Sequence, residues 1–320
     1  MKRILVTGGA GQVGTELVVA LREAYGSSAV LATDVKPGEG VMQDGPYQQL
    51  DCMDPGALAE AMRAHRPDTI YHLAALLSAT AEKNPQRAYH INMGTLANVL
   101  EAAREHNVAV FTPSSIGAFG PSTPRDPAPQ ETLQRPTTMY GVTKVAGELL
   151  CDYYFLRYQV DTRGLRFPGL VSYVAPPGGG TTDYAVDIFY QALETGRFTC
   201  FLSADTQLDL MYMPDATRAA IEVMEAPQDR LRHRNAFNVT AMQLTPASLA
   251  QMIRAHLPEF QISYVVDPVR QRIAESWPRR IDDSAAREEW DWKPEYDAPA
   301  MVEDMLKQLS LKLNPAERGN

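Results

Sequence analysis

The sequence predicts an α/β protein, a doubly wound parallel sheet with a smaller C-terminal subdomain, on three observations. Ile4 to Gly14, ILVTGGAGQVG, runs four residues suited to a buried strand into a turn with glycines at 8, 11 and 14, and Val13, Leu17, Val18 and Leu21 then recur at helical spacing. Ala29 to Asp34, AVLATD, reads as a second buried strand that ends in an acid 20 residues after Gly14. Strands then alternate with helices as far as residue 169, a rhythm that calls for parallel strands joined by right-handed crossovers.

The first strand, turn and helix organise the rest. Glycines let a backbone approach a pyrophosphate without Cβ interference, and a helix N-terminus offers N–H groups to the phosphates. An acid at the end of the second strand suits ribose hydroxyls. Gly8, Gly11, Gln12, Val13, Gly14 and Asp34 are therefore assigned to a dinucleotide on a Rossmann-type sheet. Tyr47 to Asp51 is a short third strand with Asp51 at its end. Asp54 and Pro55 read as N-cap and first position of a helix that ends near His65. Thr69 to Ala75 is the fourth strand, and its small end, Ala74 and Ala75, lets a cofactor lie against backbone. Pro85 opens a helix to about His106 whose apolar stripe is too wide for a surface helix. Val108 to Ser115 is the fifth strand, Tyr140 opens a helix to about Tyr158, and Val160 to Phe167 is the sixth strand, followed by Pro168. These landmarks all sit at carboxyl ends of strands, where such sheets bind ligands.

Beyond residue 169 the pattern loosens. It reads as a helix near 183–196, a strand RFTCFL, YMPDATRAAIEVME as strand edge and helix, a return to the sheet at Phe237 to Val239, a capped helix TPASLAQMIRAHL and a strand ISYVV. Asp282 to Trp292 is expected as a helix on the smaller subdomain. The expected division is a dinucleotide-binding domain of residues 1–168 and about 209–240, and a substrate-binding subdomain of about 169–208 and 241–320. Proline and glycine crowd at 121–136 and 176–180, read as loops over the mouth of the site.

Tyr140 and Lys144 are four apart and share a helix face, 25 residues after a strand that ends in Ser114 and Ser115. A phenol is a poor base at neutral pH, but a neighbouring ammonium and a cationic nicotinamide both favour its phenolate form. Tyr140 thereby becomes the acceptor of an alcohol proton, and Ser115 holds the reacting oxygen in line.

Composition narrows the partners. A net charge of −9 argues against nucleic acid or an anionic membrane. Three well-separated cysteines suggest a reducing compartment, and six histidines with those cysteines form no ligand cluster, so no metal is expected. The run after the two N-terminal basic residues is short and enters the glycine turn, so no signal peptide or membrane span fits and a cytoplasmic protein is expected.

Through TGGAGQVG, Asp34, HLAA, PSSIGAFG and YGVTK the chain resembles the extended short-chain dehydrogenase/reductases over essentially its whole length. In that group the catalytic hydroxyl lies five residues before the glycine of the [YF]-G pair, here Gly120, which selects Ser115 over Ser114. Within the group it looks most like the short-chain type L-threonine 3-dehydrogenases, through LRFPGLVSY, PPGGGTTDYAVDIF, LMYMPDA and SWPRRIDDSAAREEWDW. Sugar-nucleotide epimerases and dehydratases of the group usually carry Asn-Val-Tyr-Gly after the sixth strand, where this chain has Pro168, Gly169, Leu170 and Val171.

The resemblance implies transfer of hydride from Cβ of L-threonine to NAD+ as Tyr140 takes the hydroxyl proton, giving 2-amino-3-oxobutyrate. It implies Ser115, Tyr140 and Lys144 as catalytic group, with Ser78, Ser114, Thr181, Thr182 and Trp277 also on the substrate side. The cofactor set is completed by Asp51, Leu73, Ala74, Ala75, Asn92, Tyr140, Lys144 and Pro168. The group often pairs its two long helices, here 86–106 and 140–158, in a homodimer. Two other classes stand beside this reading. One is a nucleotide-sugar epimerase or dehydratase, for which Arg218, Arg279 and Arg280 would supply a diphosphate clamp. The other is a non-catalytic NAD-sensing regulator, which would have no need of the Ser-Tyr-Lys group.

Overall fold

The computed structural model describes residues 1–176 and 180–313, so Gly178 and Gly179 of the GGGTTD run lie outside the described residues. The chain begins β1 (Ile4–Thr7), α1 (Gln12–Tyr25), β2 (Val30–Asp34), β3 (Tyr47–Gln49), α2 (Pro55–His65), β4 (Thr69–His72), α3 (Ser78–Lys83), α4 (Pro85–His106), β5 (Ala109–Ser115), α5 (Met139–Tyr158) and β6 (Thr162–Phe167). It continues β7 (Gly169–Val171), α6 (Tyr184–Glu194), β8 (Arg197–Cys200), β9 (Leu208–Tyr212), α7 (Met213–Glu225), β10 (Phe237–Asn238), β11 (Met242–Leu244), α8 (Pro246–His256), β12 (Gln261–Tyr264), α9 (Pro268–Ser276), α10 (Ser284–Trp290) and α11 (Ala298–Leu313).

Seven strands form one parallel sheet in the order β10-β6-β5-β4-β1-β2-β3. The inner strands β1, β2 and β4 are buried without alternation because both faces of the sheet are covered. Ile4, Val6, Val30, Ala32, Tyr71 and Phe111 pack on one face with α1 and α7, while Leu5, Leu31, Ile70 and Val110 pack on the other with α2, α4 and α5. Helix boundaries follow local chemistry. Asp54 accepts the N–H groups of Gly56 and Ala57 at the start of α2, Asn84 caps α4, and Thr138 caps α5 by accepting the Gly141 N–H.

The second lobe is built on a three-stranded sheet, β11-β9-β7, and a two-stranded one, β12-β8. Its core gathers Ile188 and Phe189 of α6, Leu249 and Ile253 of α8, and Met301, Met305 and Leu309 of α11. α10, expected on this lobe, packs against the central sheet. Ala286, Trp290 and Trp292 join Phe237 in the core shared with α1 and α7, because the apolar side of this short helix fits beside edge strand β10.

Candidate active site

Backbone contact dictates the glycine turn. Gly8 has φ +73°, and a Cβ there would lie 2.6 Å from the Ala74 nitrogen. A Cβ on Gly14 would lie 2.3 Å from the Gly8 oxygen. Gly8 and Gly14 thus draw the turn, the start of α1 and the Leu73 to Ala75 segment together as only glycine permits. Gly11 is the N-cap of α1, and no side chain caps the helix, so the N–H groups of Gln12 and Val13 open the helix toward the turn.

Asp34 is buried at the end of β2 and oriented by two backbone donors. Ala10 N–H donates to Oδ2 and Lys36 N–H to Oδ1, each at 3.1 Å. Asp51 is exposed beyond β3 and accepts the Met53 N–H at 2.8 Å. Asn92 reaches from α4 to the chain after β4, accepting the Leu76 N–H at 2.7 Å and donating to the Leu76 carbonyl at 3.1 Å. It also donates to Thr143 Oγ1 at 3.2 Å, which ties that segment to α5. This uncapped helix end, the cradle that side chains would fill and the oriented acid fit a dinucleotide.

Ser115, Tyr140 and Lys144 come together at the ends of β5 and α5. A Cβ built on Gly117 would lie 3.2 Å from Tyr140 Cδ1 and 3.5 Å from Ser115 Oγ, so the ring and the serine flank one glycine. A Cβ on Gly141 would lie 2.2 Å from the Gly117 carbonyl oxygen, so the start of α5 rests directly on that turn. Lys144 Nζ donates to the Pro113 carbonyl at 2.6 Å and stands 5.4 Å from the Tyr140 ring centre. Ser115 Oγ accepts the Gly117 N–H at 3.1 Å, and no described residue accepts its own hydrogen. The Tyr140 hydroxyl has no partner among the described residues. His72, beneath Lys144, is pushed down to about 3 by burial and by the lysine charge, so it stays neutral and pairs with Thr7 Oγ1 at 2.8 Å.

Ser114 turns the other way. Its hydroxyl donates to Glu148 of α5, whose carboxylate also accepts from Arg166 at 3.0 and 2.8 Å and from Gln134 at 2.8 Å, all within a buried network. Thr181 and Thr182 lie at the approach to α6. Neither hydroxyl has a partner among the described residues, and Thr182 packs so closely on Gly169, next to Pro168, that a Cβ there would lie 2.7 Å from Thr182 Cγ2. Ser78 opens α3, partly exposed. Trp277 is buried in the core of the second lobe, its carbonyl accepting from Arg125 at 3.3 Å. Glu148, Arg166 and the contact between Gly117 and Gly141 escape a reading by spacing. The glycine directly after Tyr140 and the one two residues after Ser115 were the available signals.

Residues 4–240 match the model of the NAD dependent epimerase/dehydratase family. A relative from Staphylococcus saprophyticus, named an uncharacterized epimerase/dehydratase, is 54% identical over 98% of both chains. Among solved structures, L-threonine dehydrogenase from Clostridium difficile superposes with a TM-score of 0.96 at 52% identity, covering 98% of both chains. A holo form of an L-threonine dehydrogenase from Cupriavidus necator matches with a TM-score of 0.93 at 50% identity, over 96% of this chain and 99% of its own. Glycine cradle, sheet order and sequence thus agree that this chain belongs to the NAD-dependent epimerase/dehydratase family, with NAD as its cofactor.

Proposed function

We propose that the protein oxidises L-threonine at Cβ, giving 2-amino-3-oxobutyrate. The observation that carries this is the Tyr140 hydroxyl without a partner among the described residues and the Ser115 hydroxyl with its hydrogen free to donate, beside the Lys144 ammonium at the carboxyl end of the sheet. The dehydrogenases of 52% and 50% identity supply the substrate. Bound NAD+ supplies the hydride acceptor. Ser115 donates to the reacting hydroxyl oxygen and holds it against Tyr140, whose phenolate accepts the proton. Lys144 is fixed by the Pro113 carbonyl with its Nζ 5.4 Å from the Tyr140 ring centre.

Thr181 and Thr182 offer hydroxyls to a small substrate bearing an ammonium and a carboxylate. The cofactor would take the uncapped start of α1, with Asp34 on the adenosine ribose and Asp51, Leu73, Ala74, Ala75 and Pro168 lining its path. The nucleotide-sugar reading loses ground in the clamp it needs. Arg218 is held by Asp215 and Glu222, at 2.7 and 2.8 Å, and Arg280 by Asp126 at 2.9 Å, which leaves Arg279 as the one member of the clamp without an acidic partner among the described residues.

A dimer through α4 and α5 belongs to the same proposal, since Leu149, Tyr153 and Leu156 are each more than half exposed along α5. The three cysteines are buried and free, in keeping with a cytoplasmic enzyme. Among the described residues no helix is long and apolar enough to cross a membrane. The test is NADH absorbance with L-threonine, L-serine and 3-hydroxybutyrate, together with chromatographic product analysis of UDP-glucose, because an epimerase or dehydratase returns its hydride and leaves no net NADH. Turnover is expected with L-threonine, weaker turnover with L-serine and none with UDP-glucose. Turnover of the nucleotide sugar without L-threonine would replace this reading.

A further inference from the structure

Glu16 is a half-buried carboxylate that neither the cofactor cradle nor the Ser-Tyr-Lys group uses. It lies on α1 one turn beyond Gln12 and accepts the hydroxyl of Ser172, a fully buried residue just past β7. Ser172 Oγ in turn accepts the N–H groups of Val174 at 3.0 Å and Ala175 at 3.4 Å, closing a turn over 172–175. From the other side Lys312 of α11 donates to the carbonyls of Tyr173 and Val174, both at 2.9 Å, and to the Tyr190 hydroxyl of α6 at 3.1 Å. Three elements therefore grip this turn, and one of them is α1, whose uncapped N-terminus would meet the cofactor. The turn precedes Thr181 and Thr182 in sequence.

We propose that Glu16 is a positioning residue for the substrate side of the site, fixing through Ser172 the turn that precedes Thr181 and Thr182. This rests on the reading that those threonines meet the substrate. The groups that face Glu16 are Ser172, Lys312 and Tyr173, and Tyr173 is itself close to Asp304 and Tyr296. Burial pushes the Glu16 carboxyl up to about 7, while the Ser172 hydroxyl and the Lys312 charge oppose the rise. The half-buried group therefore holds its proton more tightly than a solvated one, and ionisation favours release of the turn. Opening should gain about tenfold between pH 6 and pH 8.

Hydrogen exchange at 172–175, measured on the full chain without substrate and corrected for intrinsic rates, tests the clasp independently of the reaction. Glu16→Ala should speed exchange there about tenfold and raise KM for L-threonine by about as much, with KM for NAD+ within about twofold. Glu16→Gln keeps a hydrogen-bonding partner for Ser172 without a titratable group. It should restore both quantities and abolish the step between pH 6 and pH 8. Should Glu16→Ala fail to fold, Ser172→Ala gives the same two readouts. Unchanged exchange at 172–175 overturns the clasp, and so does Glu16→Gln behaving like Glu16→Ala. Faster exchange with an unchanged KM for L-threonine overturns the positioning role. A wild-type enzyme that ignores L-threonine overturns the substrate reading alone, since exchange still decides the clasp.

Discussion

Replacing Gly117 by alanine asks whether the Tyr140 ring is held where its hydroxyl can act. The added methyl would meet Tyr140 Cδ1 at 3.2 Å and Cε1 at 3.3 Å, and Ser115 Oγ at 3.5 Å. Carbon atoms pack at about 3.5 to 4.0 Å, so the ring must withdraw by about 0.2 to 0.8 Å. The Gly117 backbone is not in the left-handed region, so alanine adds no φ strain and the fold should survive. A displacement of 1 Å costs about a hundredfold in rate, so kcat with L-threonine should fall roughly three- to thirtyfold, or about 0.7 to 2 kcal/mol. KM for NAD+ should hardly change. Gly141→Ala is the harsh counterpart, because its methyl would lie 2.2 Å from a backbone oxygen that cannot step aside, and both stability and activity should fall. The assay is steady-state NADH absorbance alongside thermal unfolding. An undiminished kcat in Gly117→Ala would refute the claim that this contact sets the position of the base.

Tyr140→Phe should lower turnover by about two to four orders of magnitude while NAD+ binding, read by fluorescence titration, persists; more than a tenth of the activity remaining would remove Tyr140 as base. Asp34 should favour NAD+ over NADP+ by about 2 kcal/mol, or roughly thirtyfold in kcat/KM, and Asp34→Ala should narrow that gap. Burial pushes Asp209 up to about 6, so the folded chain holds this proton more tightly than the unfolded one. Its contribution to stability is full below about pH 4 and is lost as pH rises through 6, on the order of 2 to 3 kcal/mol, and Asp209→Asn should flatten urea midpoints between pH 4 and pH 7. Thr182→Ala should raise KM for L-threonine far more than KM for NAD+; equal changes would detach Thr182 from the substrate.

What the sequence made legible is what local chemistry decides. Asp54-Pro55 and Pro85 place the starts of α2 and α4, and the inner strands β1 and β2 show as apolar runs because both faces of the sheet are covered. β7 is three residues long and exists only through pairing with β9, and β11 depends on β9 in the same way, so neither had a signal of its own. α3 is six residues long and was not foreseen, nor were α9 and α11, which follow the last clear strand pattern. α10 was read as a helix, but its place against the sheet rests on Trp290 meeting Phe237, a contact between distant residues. In the site, spacing selects Tyr140 and Lys144, whereas the Ser114 hydroxyl meeting Glu148 34 residues away shows only in the folded chain.

The contacts that fix the proposed catalytic group all join the end of β5 to α5 and its immediate approach. Lys144 grips the Pro113 carbonyl, Ser114 grips Glu148, and Gly117 and Gly141 let the two backbones touch. Arg166 completes the assembly from β6, neutralising Glu148 and donating to the Gln130 carbonyl at 2.8 Å and to Asn238 at 3.2 Å. Removing either member of such a buried pair leaves the other charged and uncompensated, at a cost of about 3 to 5 kcal/mol. Ser115, Tyr140 and Lys144 are therefore held together on the parallel sheet, and among the described residues no hydrogen bond joins them to Thr181 or Thr182. Those threonines follow β7 and approach α6, on the second lobe. A fold divided in this way keeps its redox chemistry while the residues after β7 change. Sheet architecture and family therefore lead to the cofactor, whereas the choice of L-threonine has to be decided by kinetics on the residues after β7.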